Sequence, residues 1–411
     1  MNGPWRLVML GVLMLGLATP ALAQPAQAAP PVLAGLWDAT VAIPGLNNLE
    51  VPFKFEITGS GATLAGSFFN GDVRVRSTAG RVQGATVALQ FAQYGSRIDA
   101  TLVNGRLEGR YDRGTRGAAY PFKAVRASSA PVSARGVPPL AGEWRIPLTR
   151  ASSKGEQSWR LLLRQRGADV TGAIMRVDGD TGTLSGTFRD GKVVLSHFSG
   201  ARPTMYVVTP QADGSLTLLQ DGRTTLTAVR VSDARAKEVA ALTDPKLYTK
   251  VRNPDEPFAF AFPDLDGRMM TNRDPRFQGK VVIVSVTGSW CPNCHDEAPF
   301  MARLYRDYRA RGLEIVALAF EEPDQLKNPN RVRGFIKQYG LTYPFLLAGT
   351  PEEAPEKIPQ AINLSTFPAT FILGRDGKVK FVHAGYASKA TGEFYEREQK
   401  AFLAEIESLL K

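Results

Sequence analysis

The stretch Lys280-Val281-Val282-Ile283-Val284-Ser285-Val286-Thr287-Gly288-Ser289-Trp290-Cys291-Pro292-Asn293-Cys294 decides how the C-terminal part of this chain is read. Its first part, Lys280 to Val286, is an apolar run of strand length bounded by a turn. The segment after it, His295 to Arg309, reads as a helix. Cys291 and Cys294 are the only two cysteines in 411 residues. A cysteine at a helix start meets unpaired N–H groups and the positive end of the helix dipole, which favour thiolate over thiol. The two-residue spacing lets the second sulfur reach the first within one helical turn. A C-x-x-C pair at a strand-to-helix turn therefore points to thiol–disulfide chemistry, and beside alternating strands and helices it reads as a redox motif.

The residues that follow extend the pattern. Leu313 to Phe320 is a second buried strand, Asn330 to Tyr339 an amphipathic helix stopped by Gly340, and Tyr343 to Leu347 a third strand. Thr370 to Leu373 and Val379 to His383 flank the turn Arg375-Asp376-Gly377 as a hairpin, and Glu393 to Leu410 closes the chain as a helix. Strands alternating with helices predict an α/β domain with a mixed sheet. Pro299 falls inside the helix after the cysteines, where a kink is expected.

Residues 250–411 resemble the thioredoxin-like disulfide reductases of the TlpA/ResA type. The resemblance is carried by Phe277-Gln278-Gly279-Lys280, by Trp290-Cys291-Pro292-Asn293-Cys294, by Pro299, and by Thr366-Phe367-Pro368-Ala369-Thr370-Phe371. It implies a thioredoxin-like fold and a cis proline at Pro368 lying against the sulfurs. It also implies an acid after the second strand, for which Glu322 is the match and Glu321 the competitor. Cys291, Cys294, Glu322, Pro368 and Trp290 are thus the candidate site. Where many thioredoxins carry a buried aspartate, six residues before the first cysteine, this chain has Ser285. Proton transfer then falls to Glu322, to water or to His295, whose plainer reading is an exposed polar residue in the first helical turn.

Other uses of the pair fit less well. A structural zinc site needs about four Cys or His ligands, and His197, His295 and His383 are scattered over distant segments. Sco-type copper proteins use a wider C-x-x-x-C pair. A peroxiredoxin places Thr three residues before its cysteine, whereas Thr287 stands four before Cys291. A purely structural disulfide would close a very short loop and stabilise little by chain entropy. No metal is expected, and no cofactor beyond a redox-active Cys291–Cys294 disulfide.

At the N-terminus, Arg6, the apolar run Leu7 to Leu17 and Ala21-Leu22-Ala23 read as a secretory signal peptide over residues 1–23, cleaved near Ala23. An uncleaved anchor is the alternative. The run is short for a membrane span, and no later stretch reaches that length. The expected home is the periplasm or another exported location, where two lone cysteines are not a disulfide scaffold. Residues 24–32 read as a tether.

Roughly 210 residues then precede the redox domain, and they alternate. Leu89, Phe91 and Ile98, Ala100, Leu102 keep a period of two. Turn pairs such as Asn70-Gly71, Asn104-Gly105, Asp178-Gly179, Asp190-Gly191 and Asp213-Gly214 recur, the mark of many short antiparallel strands. An internal repeat runs through them. Leu33-Ala34-Gly35-Leu36-Trp37 returns as Leu140-Ala141-Gly142-Glu143-Trp144, and Ala124-Val125-Arg126 as Ala228-Val229-Arg230. The predicted organisation is an all-β region of two repeated small antiparallel β-barrels, 31–127 and 138–231, each of about eight strands, followed by a thioredoxin-like domain over 246–411. A single larger sandwich or barrel built from both copies is the alternative. Trp37 and Trp144 are the expected core residues of the copies.

Charge adds one hint. From residue 31 to 245 there are 26 Lys+Arg against 18 Asp+Glu, and 21 of the 26 are Arg. Such a surface suits an acidic partner or a membrane face, or simply a soluble basic protein. No nucleic-acid motif is present. The expected function is an exported thiol–disulfide oxidoreductase, in the reductase direction by resemblance, with a protein thiol or disulfide as substrate and an upstream thiol donor. The alternative is a partner-binding or sensor protein whose barrels do the main work, with the redox domain as a switch.

Overall fold

The computed structural model describes residues 33–128 and 132–411, with Met1 and Gly3. The signal segment, its cleavage point and the tether therefore lie, but for those two residues, outside the described part. Among the described residues no helix is long and apolar enough to cross a membrane.

Both β units are antiparallel. The first runs from strand Gly35–Ile43 to strand Tyr120–Arg126, nine strands that pair in the chain-order sequence 4-3-2-1-9-8-7-6-5. The second runs from Gly142–Pro147 to Thr224–Arg230, again nine strands, paired 2-1-9-8-7-6-5-3-4. There strand Asp169–Arg176 pairs with both Ser158–Arg166 and Leu184–Arg189. That double pairing closes a ring of eight. In the first unit the corresponding strand, Ala65–Asn70, pairs instead with Val73–Arg76, and the ladder stays open. So only the second of the two expected barrels is closed. The turn pairs do what their composition requires: Asn104 and Gly105 have φ of 49° and 77°, as do Asp190 and Gly191, the left-handed pair of a tight hairpin turn.

The paired sequence signatures have a common geometry. Trp37 and Trp144 are buried, and each indole nitrogen donates to a carbonyl four residues back, Leu33 and Leu140, at 3.1 Å. Arg126 lies over Trp37 at 4.1 Å and Arg230 over Trp144 at 4.3 Å. Gly35 and Gly142 sit at φ of 132° and 135°, and a Cβ there would stand 2.6 and 2.7 Å from those guanidinium groups. The glycine, the tryptophan and the distant arginine are thus parts of one clasp. The two units also share a core: Phe198 of the second packs on Phe53, Phe68 and Tyr111 of the first at 5.0–5.1 Å.

The C-terminal domain is a five-stranded mixed sheet ordered Phe345–Gly349, Leu313–Phe320, Val281–Thr287, Ala369–Leu373, Val379–Ala384. The first three strands are parallel, and the hairpin adds antiparallel. Val281–Thr287 and Leu313–Phe320 are buried along their whole length, as parallel strands covered on both faces must be. One face packs on Met301, Leu304, Phe335, Phe402 and Ile406 from the helices Pro292–Tyr308, Asn330–Tyr339 and Glu393–Leu410. The third strand starts at Phe345 rather than Tyr343 because Pro344 has no N–H to give the ladder. The cysteine helix starts at Pro292 rather than His295, with proline in the first turn where a missing N–H costs nothing.

Candidate active site

Cys291 is the N-cap residue of the helix Pro292–Tyr308, so its sulfur sits where the free N–H groups gather. Both cysteines are free thiols, and both are buried, Cys291 3% exposed and Cys294 1%. Cys291 Sγ donates to the Phe367 carbonyl at 3.3 Å, and the Phe367–Pro368 peptide is cis. Trp290 is held by its indole N–H on Phe320 O at 2.8 Å and packs on Phe367 at 5.2 Å. Four of the five sequence candidates, Trp290, Cys291, Cys294 and Pro368, are therefore together.

The fifth is elsewhere. Glu322 is the N-cap residue of the short helix Pro323–Lys327, and its carboxylate, which makes no capping bond, pairs with Arg331. Glu321 is buried and accepts from Ser289 N at 2.6 Å, Ser289 Oγ at 2.7 Å and Arg331 Nη2 at 2.9 Å. Both carboxylates serve to fix the turn before the cysteines through Arg331, which also donates to Ser289 Oγ. The carboxylate whose charge bears on Cys294 is that of Glu297, three residues on along the same helix. Glu297 is buried among the Ser285 and Thr370 hydroxyls, and desolvation pushes its pKa from an ordinary 4.5 up to about 8. Burial, with the Cys291 sulfur next to it, holds the Cys294 thiol well above its ordinary value.

His295 is not the exposed polar residue of the plainer reading. It stacks on Tyr94 of the first β unit at 4.2 Å, and its ring nitrogens lie 3.0 Å from Tyr339 Oη and 2.9 Å from Ser289 O. Desolvation lowers its pKa to about 3, so at neutral pH it is an uncharged imidazole and offers no positive charge to a thiolate.

The Redoxin family matches residues 253–397. The thiol-disulfide oxidoreductase ResA of Bacillus thuringiensis (strain Al Hakam) is 32% identical over 136 residues, 33% of this chain and 72% of that protein. ResA of Geobacillus thermodenitrificans is 32% identical over 130 residues, 32% of this chain and 68% of that protein. The chain belongs to the TlpA/ResA-type family of thioredoxin-like thiol–disulfide oxidoreductases. A thioredoxin-family thiol:disulfide interchange protein from Chlorobium tepidum TLS aligns at a TM-score of 0.30 and 24% identity, covering 39% of this chain and all of that one.

What surrounds the ResA-type site comes from outside that domain. Asn293, between the cysteines, donates to Asp178 O of the second β unit at 2.6 Å. Gly179 bridges to Tyr386, and the Asp180 carboxylate accepts from Ser388 N and Oγ at 2.6 and 3.0 Å. Asn70 of the first unit donates to Asp296 at 2.9 Å. A cavity of about 340 Å³ remains at Cys291, walled on one side by Trp290 and Phe367 and on the other by the second β unit. Cys291 is thus a sulfur at the bottom of a cleft rather than on an open face.

Proposed function

We propose that this thiol–disulfide oxidoreductase works as an exported protein disulfide reductase, with the Cys291–Cys294 pair as its redox centre and no other cofactor. The observation that carries the reading is the Cys291 sulfur at a helix N-cap, 3.3 Å from Phe367 O, with the buried Glu297 three residues beyond Cys294 on the same helix. Cys291 as thiolate attacks one sulfur of the substrate disulfide; that S–S bond breaks, and the leaving thiolate takes a proton. Cys294 then loses its proton, attacks the Cys291 sulfur and releases the second thiol. The substrate gains two electrons, and the new Cys291–Cys294 disulfide marks their loss. An upstream thiol donor returns them. Glu297 is the base that takes the Cys294 proton, a task suited to a carboxyl poised near neutral pH. Trp290 and Pro368 shape the face on which the substrate lies.

Export rests on the signal-like residues 1–23 and the reductase direction on the family resemblance. The organisation proposed is two copies of one antiparallel fold, 31–127 and 138–231, ahead of a redox domain over 246–411. The matched tryptophan–arginine clasps and the parallel strand orders support duplication. The β units are assigned to partner recognition, with an acidic partner suited to their arginines and no role for nucleic acid. A second reading, a sensor in which the β units do the main work and the redox domain is a switch, draws support from the burial of Cys291 beneath the second unit.

Insulin-disulfide reduction by the full chain, with the reduction potential of the pair, tests the assignment. In the reductase reading, Cys294→Ser accumulates a mixed disulfide through Cys291 and Cys291→Ser is inert. Turnover unaffected by Cys291→Ser would refute it.

A further inference from the structure

We propose that the second β unit forms the other half of the active-site cleft, and that Arg176 and Arg202 make that cleft selective for disulfides carrying carboxylates beside the sulfur. The proposal rests on the oxidoreductase activity of the Cys291–Cys294 pair and names its substrate class.

The wall opposite Cys291 is charged unevenly. Lys154 is neutralised by Asp178 at 3.6 Å. Glu156 is buried, with its oxygens taken by Val177 N at 2.8 Å, Ser152 Oγ at 2.9 Å and Trp159 Nε1 at 3.2 Å. Arg176 and Arg202 have no carboxylate partner among the described residues. Arg176 stacks on Trp159 at 4.2 Å and donates from Nη2 to Tyr206 Oη at 3.0 Å, while its Nε is buried without a partner. Arg202 is exposed and lies over the Trp290 ring at 5.3 Å, one residue from the nucleophile. Both line the cleft at Cys291; a second cavity of about 230 Å³ that they share is also lined by Asp178, Asp180 and Asp221, so the anion contact is confined to the cleft.

Arg202 is also held in place at some cost. Its φ of 47° is left-handed, which a non-glycine residue adopts only when its surroundings enforce it. The enforcing contact is next to it: Tyr111 of the first β unit donates to Gly200 O at 2.5 Å, and Gly200 packs against Tyr94. An arginine fixed in this way over the active-site tryptophan is a preorganised anion contact. A disulfide entering the cleft passes under it, and carboxylates flanking the sulfur meet two guanidinium groups in a partly desolvated space, where charge pairing counts for more than in water.

The reduced full-length protein is mixed with three small disulfides: 3,3′-dithiodipropionate (dianionic, with its carboxylates close to the sulfurs), 2-hydroxyethyl disulfide (neutral) and cystamine (dicationic). In each reaction the probe's S–S bond is cleaved to two thiols as Cys291 and Cys294 are oxidised. Second-order rates are read by stopped flow and divided by the rate of each probe with dithiothreitol, which removes intrinsic reactivity. The expected normalised order is anionic, neutral, cationic, with about three- to tenfold between extremes at low salt and compression of that range at high salt. Arg202→Glu, on an exposed side chain, inverts the normalised order; Arg176→Gln weakens the preference without inverting it. Equal normalised rates for all three probes in the wild type, or an order that survives Arg202→Glu, overturns the selection and leaves the redox assignment standing. No reaction with any probe, in protein whose two thiols titrate normally after denaturation, overturns the redox assignment as well.

Discussion

Asn293, one of the two residues between the cysteines, donates its side-chain amide to the backbone oxygen of Asp178 at 2.6 Å. The redox motif itself is therefore tied to the second β unit. The docking strand Gly179–Asp180, its bridge to Tyr386 and the Asp180–Ser388 bonds continue the seam. Local opening sets the reactivity of buried groups, so opening of this seam is a second route to Cys291 beside the existing cleft.

Loss of the Asn293 bond should loosen that seam. A hydrogen bond of this kind contributes about 1 kcal/mol, which in an opening-limited reaction is about a fivefold change. Asn293→Ala is expected to raise the rate of Cys291 alkylation by iodoacetamide in the full chain by that order. An unchanged rate would mean that the label reaches Cys291 through the existing cleft and that Asn293 does not gate it.

The two cysteines should react unequally. Burial and the neighbouring Cys291 sulfur keep the Cys294 thiol protonated far above neutrality, and alkylation needs the thiolate. With substoichiometric reagent at pH 7, mass spectrometry is expected to find the label on Cys291. Predominant labelling of Cys294 would reverse the proposed order of attack.

Arg331 should matter more to stability than to chemistry. It is 2% exposed and holds Glu321, Glu322 and Ser289 together. Arg331→Met leaves Glu321 buried without its cation, a change that typically costs about 3–5 kcal/mol. Glu322→Gln removes a carboxylate that is 35% exposed, for which less than about 1 kcal/mol is expected. Urea denaturation of the two variants tests the contrast; similar losses would show that the ion pair is not the stabilising element.

Much of this was written in the sequence, for reasons that can be named. Leu313–Phe320, Asn330–Tyr339 and Glu393–Leu410 have the observed boundaries because unbroken apolar runs and a left-handed Gly340 stop leave little freedom. The repeated Gly-x-Trp and Ala-Val-Arg segments stood out because Arg126 and Arg230 close over Trp37 and Trp144. What could not be read was contact between distant segments. Closure of the second barrel depends on which partner Asp169–Arg176 takes, and burial of Cys291 and His295 depends on Asp178 and Tyr94, more than a hundred residues away. Glu297 was available in principle. Its spacing of three from Cys294 puts both on one helix face, a signal as local as that of the acids after the second strand.

That acid supports the last prediction. Glu297 titrates near 4.5 when exposed and near 8 in the folded protein, because burial disfavours its charge. The folded state then holds a proton that the unfolded state has already released between those values. Its contribution to stability is full below about pH 4.5 and is lost as pH rises from there through about 8, on the order of 5 kcal/mol at most. Glu297→Gln, neutral at every pH, should therefore lose less thermal stability than wild type between pH 5 and pH 9. Asp296, also pushed up to about 8 by burial and by Asp180, leaves part of the pH dependence in place. The same variant should slow resolution of the mixed disulfide by Cys294 and flatten its rise with pH, while attack by Cys291 on a small disulfide stays close to wild type. Glu322→Gln should alter neither profile. If Glu322→Gln shifts the resolution step and Glu297→Gln does not, the proton of Cys294 leaves by the route the family resemblance first implied, and Glu297 is only a buried acid.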